Sequence, residues 1–478
     1  MKLTSFLSGL LILLSAGLLI TCKKGDRHAN EAPQTVVTPH VINQVGENRL
    51  KSTVRLSWMG TDSDGYIEGF EISQDGQNWF YTTEFDSTFV FDIEEGSDTT
   101  DIDFYVRSID NDGIKDPSPA YVRVPIKNSP PEVTFNHSFS TADTAYLIAT
   151  LFWEASDPDG FENLKHVRIR INEGDWFEVD KNIDNLTLVP ENVSGTGTMN
   201  ATVWFTSSEA ESTPMTGLKL NDTNNIYIQA IDIANSESNT DTISGLYFKN
   251  KTSDLLVIGA DISENAFYRQ HIGNVYPTFD YIDYAIDNGK WQPTFWDPTF
   301  SLLIKQYEKV CMFSDRKPYF NENTKKENLI FESSARSIQD YYNSGGKIFT
   351  IGYFPADLDS NSIVFGVFPM DRSTRFNGSV FLKAGGTTIT GTQGYPDLEP
   401  TSFSPAVSPF VPSSDAESIM TADLDEPPGW NGPDHIGARR QLSGNTYQVH
   451  IGLGLYDANG IPANTDALFD KVLNQEFK

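Results

Sequence analysis

The stretch from Glu308 to Asp357 constrains the fold more tightly than any other. It reads EKVCMFSD, then a run FESSARSIQDYYNSGG, then KIFTIGYFPAD. Val310, Met312 and Phe313 make a short apolar strand. Phe331, Ala335, Ile338 and Tyr341/Tyr342 recur at three- and four-residue spacing, which gives one apolar helix face. Gly345-Gly346 supplies a left-handed stop, and Lys347–Gly352 is a second apolar strand. Two buried strands joined by a helix imply a right-handed crossover and therefore a parallel sheet. Ligands of such sheets sit beyond the carboxyl ends of the strands, here around Ser314–Lys317 and Tyr353–Asp357. Asp315, Tyr353, Asp357 and Asp359 are the side chains that would face a ligand at that crest, although Asp at such places also caps helices.

Strand and helix alternate on both sides of this stretch. Asp254–Ala260 (DLLVIGA) opens as an apolar strand, followed by a helix near Glu264–Ile272, a strand at 279–286 and a helix over Pro298–Tyr307. Mixed strands are expected at Ser379–Ile389 and Gln441–Gly452. A last helix, Asp466–Phe477, should turn Ala467, Leu468, Val472 and Leu473 inward. The pattern is that of a doubly wound α/β domain over 251–478. Its boundary, Lys249–Ser253, is polar, so few contacts should cross it and the domain should fold alone.

The pieces LLVIGAD, YEKVCMFSD, YYNSGGKIFTIGYFP and YQVHIGLGLYD resemble the class I glutamine amidotransferase-like, flavodoxin-like modules of secreted bacterial proteins. In the enzymes of that superfamily a cysteine follows the strand corresponding to KIFTIG. Here Tyr353, Phe354 and Pro355 stand there, so the resemblance implies the fold without its nucleophile. Cys311 should point into the sheet, and His450, inside VHIGLGL, reads as a structural histidine bonded to a neighbouring carbonyl. A base without a nucleophile has nothing to activate.

Residues 41–250 follow the strand period instead. VRLSWMGTDSDG (Val54–Gly65) is answered by ATLFWEASDPDG (Ala149–Gly160), and FYVRSID (Phe104–Asp110) by IYIQAID (Ile226–Asp232). The same marks at the same offsets are an internal repeat of two all-β sandwiches, 41–128 and 129–250, hinged at Asn128-Ser129-Pro130-Pro131. Trp58, Trp153, Tyr105 and Tyr227 carry a resemblance to fibronectin type III and Ig-like domains, with each tryptophan filling a sandwich centre. The second copy is longer over Asn182–Met215, as an added hairpin or a surface loop.

Acidic turns mark both copies. Asp62, Asp64, Asp110, Asp112 and Asp116 fall in two turns of the first, and Asp157, Asp159 and Asp232 in the second. Clustered carboxylates are what Ca²⁺ requires, and Ca²⁺ is the one cofactor the chain invites. DxDG is equally good turn chemistry, with Asp capping and Gly at positive φ. Asp86-Ser87-Thr88, Asp98-Thr99-Thr100, Asp143-Thr144-Ala145 and Asp241-Thr242-Ile243 resemble bacterial (Bacteroidetes-like) O-glycosylation sites.

Address is written at the N-terminus. One lysine, an apolar core from Phe6 to Ile20 and Cys22 form an export signal too short for a membrane span. Leu19-Ile20-Thr21-Cys22 resembles the lipobox of bacterial lipoproteins and implies a lipid on Cys22. Residues 22–40 read as a flexible tether, and Lys23 after the cysteine, by resemblance to enterobacterial lipoprotein sorting, implies the outer membrane, periplasmic-facing or surface-exposed. A formal charge of −30 at pH 7 excludes nucleic acid as a partner. The loop Asp423–His435, with acids and amides around an exposed-looking Trp430, has the composition of a sugar-stacking platform and equally that of a rigid surface loop. The expected function is thus a non-catalytic outer-membrane lipoprotein whose Ig-like spacers present a degenerate amidotransferase-like domain to a glycan or an envelope protein. The alternative is a secreted hydrolase or glycan-binding protein using the crest carboxylates.

Overall fold

The computed structural model describes residues 29–39, 50–51, 53–91, 93, 96–136, 144–284, 293–295, 298–314, 318–321, 325–355, 358–371 and 379–478. Cys22, Asp315 and Asp357 lie outside the described residues. Two compact units result: the residues up to Ser129 with Asp157–Asn163 and Ile233–Asn235, and Pro130–Ser156, Leu164–Asp232 and Ser236–Lys478.

In the first unit, a three-stranded sheet (Gln34–Pro39, Thr53–Thr61, Asp86–Val90) faces a five-stranded one. The second runs in the order Leu50–Lys51, Ala120–Lys127, Thr99–Asp110, Ile67–Ser73, Phe80–Thr82. Alternation decides which side chains meet between them: Val54, Leu56 and Trp58 are buried, as are Phe104 and Val106. Trp58 lies 6.2–6.4 Å from the rings of Phe70, Phe89 and Phe104, at the centre expected of it. Tyr105 does not join this core. It is half-buried on the other face, its ring 5.0 Å from that of Tyr121, because period two puts it opposite its neighbours Phe104 and Val106.

The second sandwich repeats this plan with two five-stranded sheets. One orders Thr144–Tyr146, Asp241–Lys249, Asp222–Asp232, Leu164–Ile171, Phe177–Asp180. The other orders Met215–Leu220, Gly197–Trp204, Asn185–Pro190, Ala149–Ser156, Glu132–Phe135. The added segment is a hairpin, Asn185–Pro190 against Gly197–Trp204, which extends the sheet rather than looping over it. The repeat persists at atomic level. The Trp58 amide donates to Phe85 O at 2.8 Å and the Trp153 amide to Asp184 O at 3.0 Å. Asp110 and Asp232 each accept on Oδ1 the amide four residues on, at 2.8 and 2.7 Å.

C-terminal to the sandwich is an eight-stranded sheet, ordered Asp280–Asp283, Leu255–Ala260, Lys309–Ser314, Lys347–Ile351, Asn445–Ile451, His435–Leu442, Ala416–Ala422, Ile389–Gly391. The first five strands are parallel neighbours and the last three junctions are antiparallel. Successive strand residues feed two cores. Leu256, Ile258, Val310, Met312 and Ile348 meet helices Pro298–Ile304 and Ile330–Asn343 on one face. Leu255, Val257, Cys311, Phe313 and Phe349 meet helices Asn265–Val275 and Pro462–Asp470 on the other. Strands buried on both faces are why these segments read as unbroken apolar runs.

Several expected elements shift for local reasons. The run Gln441–Gly452 contains a turn: Ser443 and Gly444 have φ of 53° and 84°, so Leu442 pairs with Asn445 and two antiparallel strands replace one. Ser379–Ile389 is broken by a turn in which Thr387 N donates to Lys383 O at 2.9 Å. The last helix widens after Asp470 to i→i+5 bonding, with Phe477 N donating to Val472 O at 3.0 Å. Phe469 is buried there and Ala467 is exposed, against expectation. A hairpin, Pro318–Asn321 with Lys326–Leu329, was absent from the sequence pattern because its strands carry little apolar alternation.

The expectation of a bare boundary near Lys251 is corrected. Tyr146, Leu147, Ile148 and Val189 of the second sandwich are buried in the same core as Phe300, Leu303 and Tyr307. Lys251 N donates to Val193 O at 2.8 Å, and Asn250 Nδ2 to Gly195 O at 3.1 Å. Thr150 shares its hydroxyl with Thr187 at 2.8 Å and with Thr299. At the centre sits Asp280, 1% exposed, whose carboxylate accepts Thr252 N at 2.9 Å, the Thr252 hydroxyl and Tyr307 Oη at 3.0 Å. Burial, and then the Asp280 charge, push the Tyr146 phenol up from its ordinary value.

Candidate functional site

The crest of the sheet is laid out by the strand ends Ala260, Ser314, Ile351 and Ile451. Gly352 follows its strand at φ 155°, and a Cβ there would lie 2.4 Å from Ser314 O, so the chain turns in a space that admits no side chain. Tyr353 comes next and is half-buried. Cys311 is fully buried and burial pushes its thiol up, away from the reactive thiolate.

His450 is also fully buried. Its Nδ1 lies 2.9 Å from Thr350 Oγ1, and the rings of Phe354, Phe368 and Phe410 surround it at 5.3–5.7 Å. Thr350 is the partner, through its hydroxyl and its backbone. Burial lowers its pKa from 6.5 to about 3. The sign follows: the unfolded chain takes up a proton below pH 6.5 that the folded chain refuses until about 3. The histidine's contribution is therefore full above pH 6.5 and falls by about 1.4 kcal/mol per pH unit on acidification through that window. Denaturant unfolding of wild type and His450→Leu from pH 7 downward checks this; the variant should lose that component of the slope.

The remaining crest residues cap or pack. Asp359 is exposed and accepts Asn361 N at 2.9 Å. Asp261 Oδ1 accepts Ser263 N and Glu264 N at 3.0 and 2.8 Å, ahead of helix Asn265–Val275. Trp430, expected to stand exposed, is half-buried against the apolar core below it, and a Cβ on Gly432 would lie 2.2 Å from its ring.

Of the acidic turns, the structure brings Asp62, Asp64 and Asp110 within electrostatic reach. Burial pushes the Asp62 carboxyl up, and repulsion from Asp64 and Asp110 adds to it. Most of these acids hold backbone amides. Asp110 Oδ1 accepts Asp112 N at 2.9 Å and Asp110 Oδ2 accepts Asn30 Nδ2 at 2.6 Å, while Asp112 itself is exposed. Asp116 accepts Thr35 N and Ser118 N, both at 2.8 Å. Asp157 accepts Asp159 N and Asp159 accepts Ser129 N, both at 2.7 Å. Asp232 accepts Ser236 N at 2.7 Å. Among the described residues no group of three His, Cys, Asp or Glu side chains is arranged to hold a metal ion.

One cavity was not anticipated. A cleft of about 650 Å³ opens where the second sandwich meets helices Pro298–Ile304 and Ile330–Asn343. Phe152, Trp153, Phe205 and Phe295 supply aromatic walls, and Glu154, Asp184, Arg336 and Asp340 supply charge. Its lining comes from segments scattered between residues 136 and 340, so no local motif could have revealed it. The available signal was Phe152-Trp153-Glu154 in one strand, where alternation turns the first and third side chains out of the sandwich core.

No family model and no curated protein matches the chain. Solved structures do. Fibronectin(III)-like modules of Clostridium thermocellum CbhA align at 15% identity over 44% of this chain and 95% of theirs, with a TM-score of 0.16. A two-domain fibronectin type III segment of chicken tenascin aligns at 11% over 45% and 98%, with a TM-score of 0.22. A tetra-tandem repeat from the extending region of a large adhesion protein aligns at 11% over 45% and 49%, with a TM-score of 0.20. At such scores the sandwich assignment rests on strand order and register.

Proposed function

We propose that this chain is a non-catalytic binding protein of the bacterial envelope, exported and held at the outer membrane by a lipid on Cys22. The sandwiches are of fibronectin type III or Ig-like kind, and the C-terminal domain is a degenerate amidotransferase-like, flavodoxin-like module. The observation that carries the reading is the crest. Tyr353 stands where the resembling enzymes place their cysteine, and both Cys311 and His450 are sealed in the core. The second sandwich, joined to the C-terminal domain by a common core, is part of the binding body, and the first sandwich is the spacer. Among the described residues no helix is long and apolar enough to cross a membrane.

Metabolic labelling with a clickable fatty acid tests the anchor. Wild type should be labelled and Cys22→Ala should not. Equal labelling of the two would contradict a lipid on Cys22.

A further inference from the structure

The internal repeat supplies its own control for the junction cleft. Trp58 and Trp153 occupy equivalent strands and bond equivalently through their backbone amides. Their side chains differ. Trp58 Nε1 donates to Glu84 O at 2.9 Å. Trp153 is 2% exposed in the sandwich core and its Nε1 has no hydrogen-bond partner, and its strand lines a cleft. Ser301, 5% exposed and reaching the same cleft from helix Pro298–Ile304, likewise has a hydroxyl without a partner. A buried donor left unpaired costs about 1–3 kcal/mol, so the Ser301 hydroxyl marks a place along the cleft where a polar atom is wanted.

The rim is equally uncommitted. Glu154, Arg336 and Asp340 are exposed, and their side chains have no hydrogen bond or ion pair among the described residues. Arg336 and Asp340 stand one helical turn apart without pairing. With Asp184 the rim holds three carboxylates and one guanidinium, which repels an anionic ligand. Half-buried Phe152 and Phe205 add flat apolar faces, with Phe295 deeper. Aromatic faces beside separate donors and acceptors, in a cleft within the usual range of about 300–1,000 Å³ for small-molecule sites, match a neutral polyhydroxylated ring. The C–H face of a sugar stacks on the rings while its hydroxyls bond carboxylate and guanidinium.

We infer that this cleft is a saccharide-binding site, taking a short neutral oligosaccharide between the second sandwich and the C-terminal domain. The inference rests on the binding reading above and names its ligand class. Phe152 and Phe205 form the stacking walls, and Glu154, Arg336 and Asp340 take the hydroxyls. A hydroxyl at the inner end satisfies Ser301 Oγ.

The test exposes the full chain to an array of immobilised neutral glucans, mannans, galactans and chitooligosaccharides, with trilysine peptide and inorganic phosphate as competitors. At least one saccharide should be retained, and Glu154→Ala/Arg336→Ala should weaken that retention at least tenfold. Both side chains are exposed and unpaired, so the variant should melt with wild type, and its melting curve verifies this. Phosphate should not compete. Retention of no saccharide overturns the inference, as does equal retention by wild type and variant. Displacement of bound saccharide by trilysine, or binding of trilysine alone, overturns it in favour of a basic peptide. A chain that is lipid-labelled at Cys22 but retains no saccharide overturns this inference and leaves the envelope reading standing.

Discussion

Residues 251–478 expressed alone will be insoluble or molten, whereas residues 130–478 will unfold in one cooperative transition. Cutting at Lys251 removes Tyr146, Leu147, Ile148 and Val189 from a core they share with Phe300, Leu303 and Tyr307. Each buried aliphatic of that size contributes about 1.5–3 kcal/mol, against a whole-domain stability of only about 5–15 kcal/mol. The cut also leaves helix Pro298–Ile304, all but its first residue buried, with an exposed apolar face. Thr299 loses Thr150, and Asp280 loses the neighbouring Tyr146. Thermal unfolding and dye binding of the two fragments check this. A soluble 251–478 fragment with a sharp transition would show that the shared core is dispensable.

Asp280→Ala should be the most damaging single substitution at the junction, at about 3 kcal/mol or more. The carboxylate is 1% exposed and answers the Thr252 amide, the Thr252 hydroxyl and the Tyr307 hydroxyl. Removing it leaves the buried Tyr307 hydroxyl without its acceptor, at about 1–3 kcal/mol before relaxation, and takes two further hydrogen bonds from the exposed Thr252, at about 0.5–1.5 kcal/mol each. Tyr307→Phe removes one donor and its desolvation together, and should cost about 1 kcal/mol. The contrast between the two variants in urea unfolding is the measurement. Equal effects would mean that packing of the ring, and not the carboxylate network, holds the junction.

Much of this was legible because burial on one or two faces writes itself into period. Val54, Leu56 and Trp58 alternate, Leu255–Ala260 does not, and each fold follows from that difference. The crossover from Lys309–Ser314 through Ile330–Asn343 to Lys347–Ile351 was readable for the same reason. What escaped depended on partners far away in sequence. Tyr146 to Ile148 look like one more strand, yet they close the core of a domain that begins over a hundred residues later. Trp430 looks like a platform and packs inward because Gly432 leaves its ring a place to lie. The cleft escaped for that reason too, since Phe152 and Ser301 line a common space only after two domains have joined.

Native-state hydrogen exchange on the full chain measures that joining directly. One common opening free energy is expected for strand amides of the second sandwich, such as Leu188 and Ile228, and of the eight-stranded sheet, such as Val257 and Ile348. Two distinct free energies, with the sandwich opening while the sheet stays protected, would contradict it.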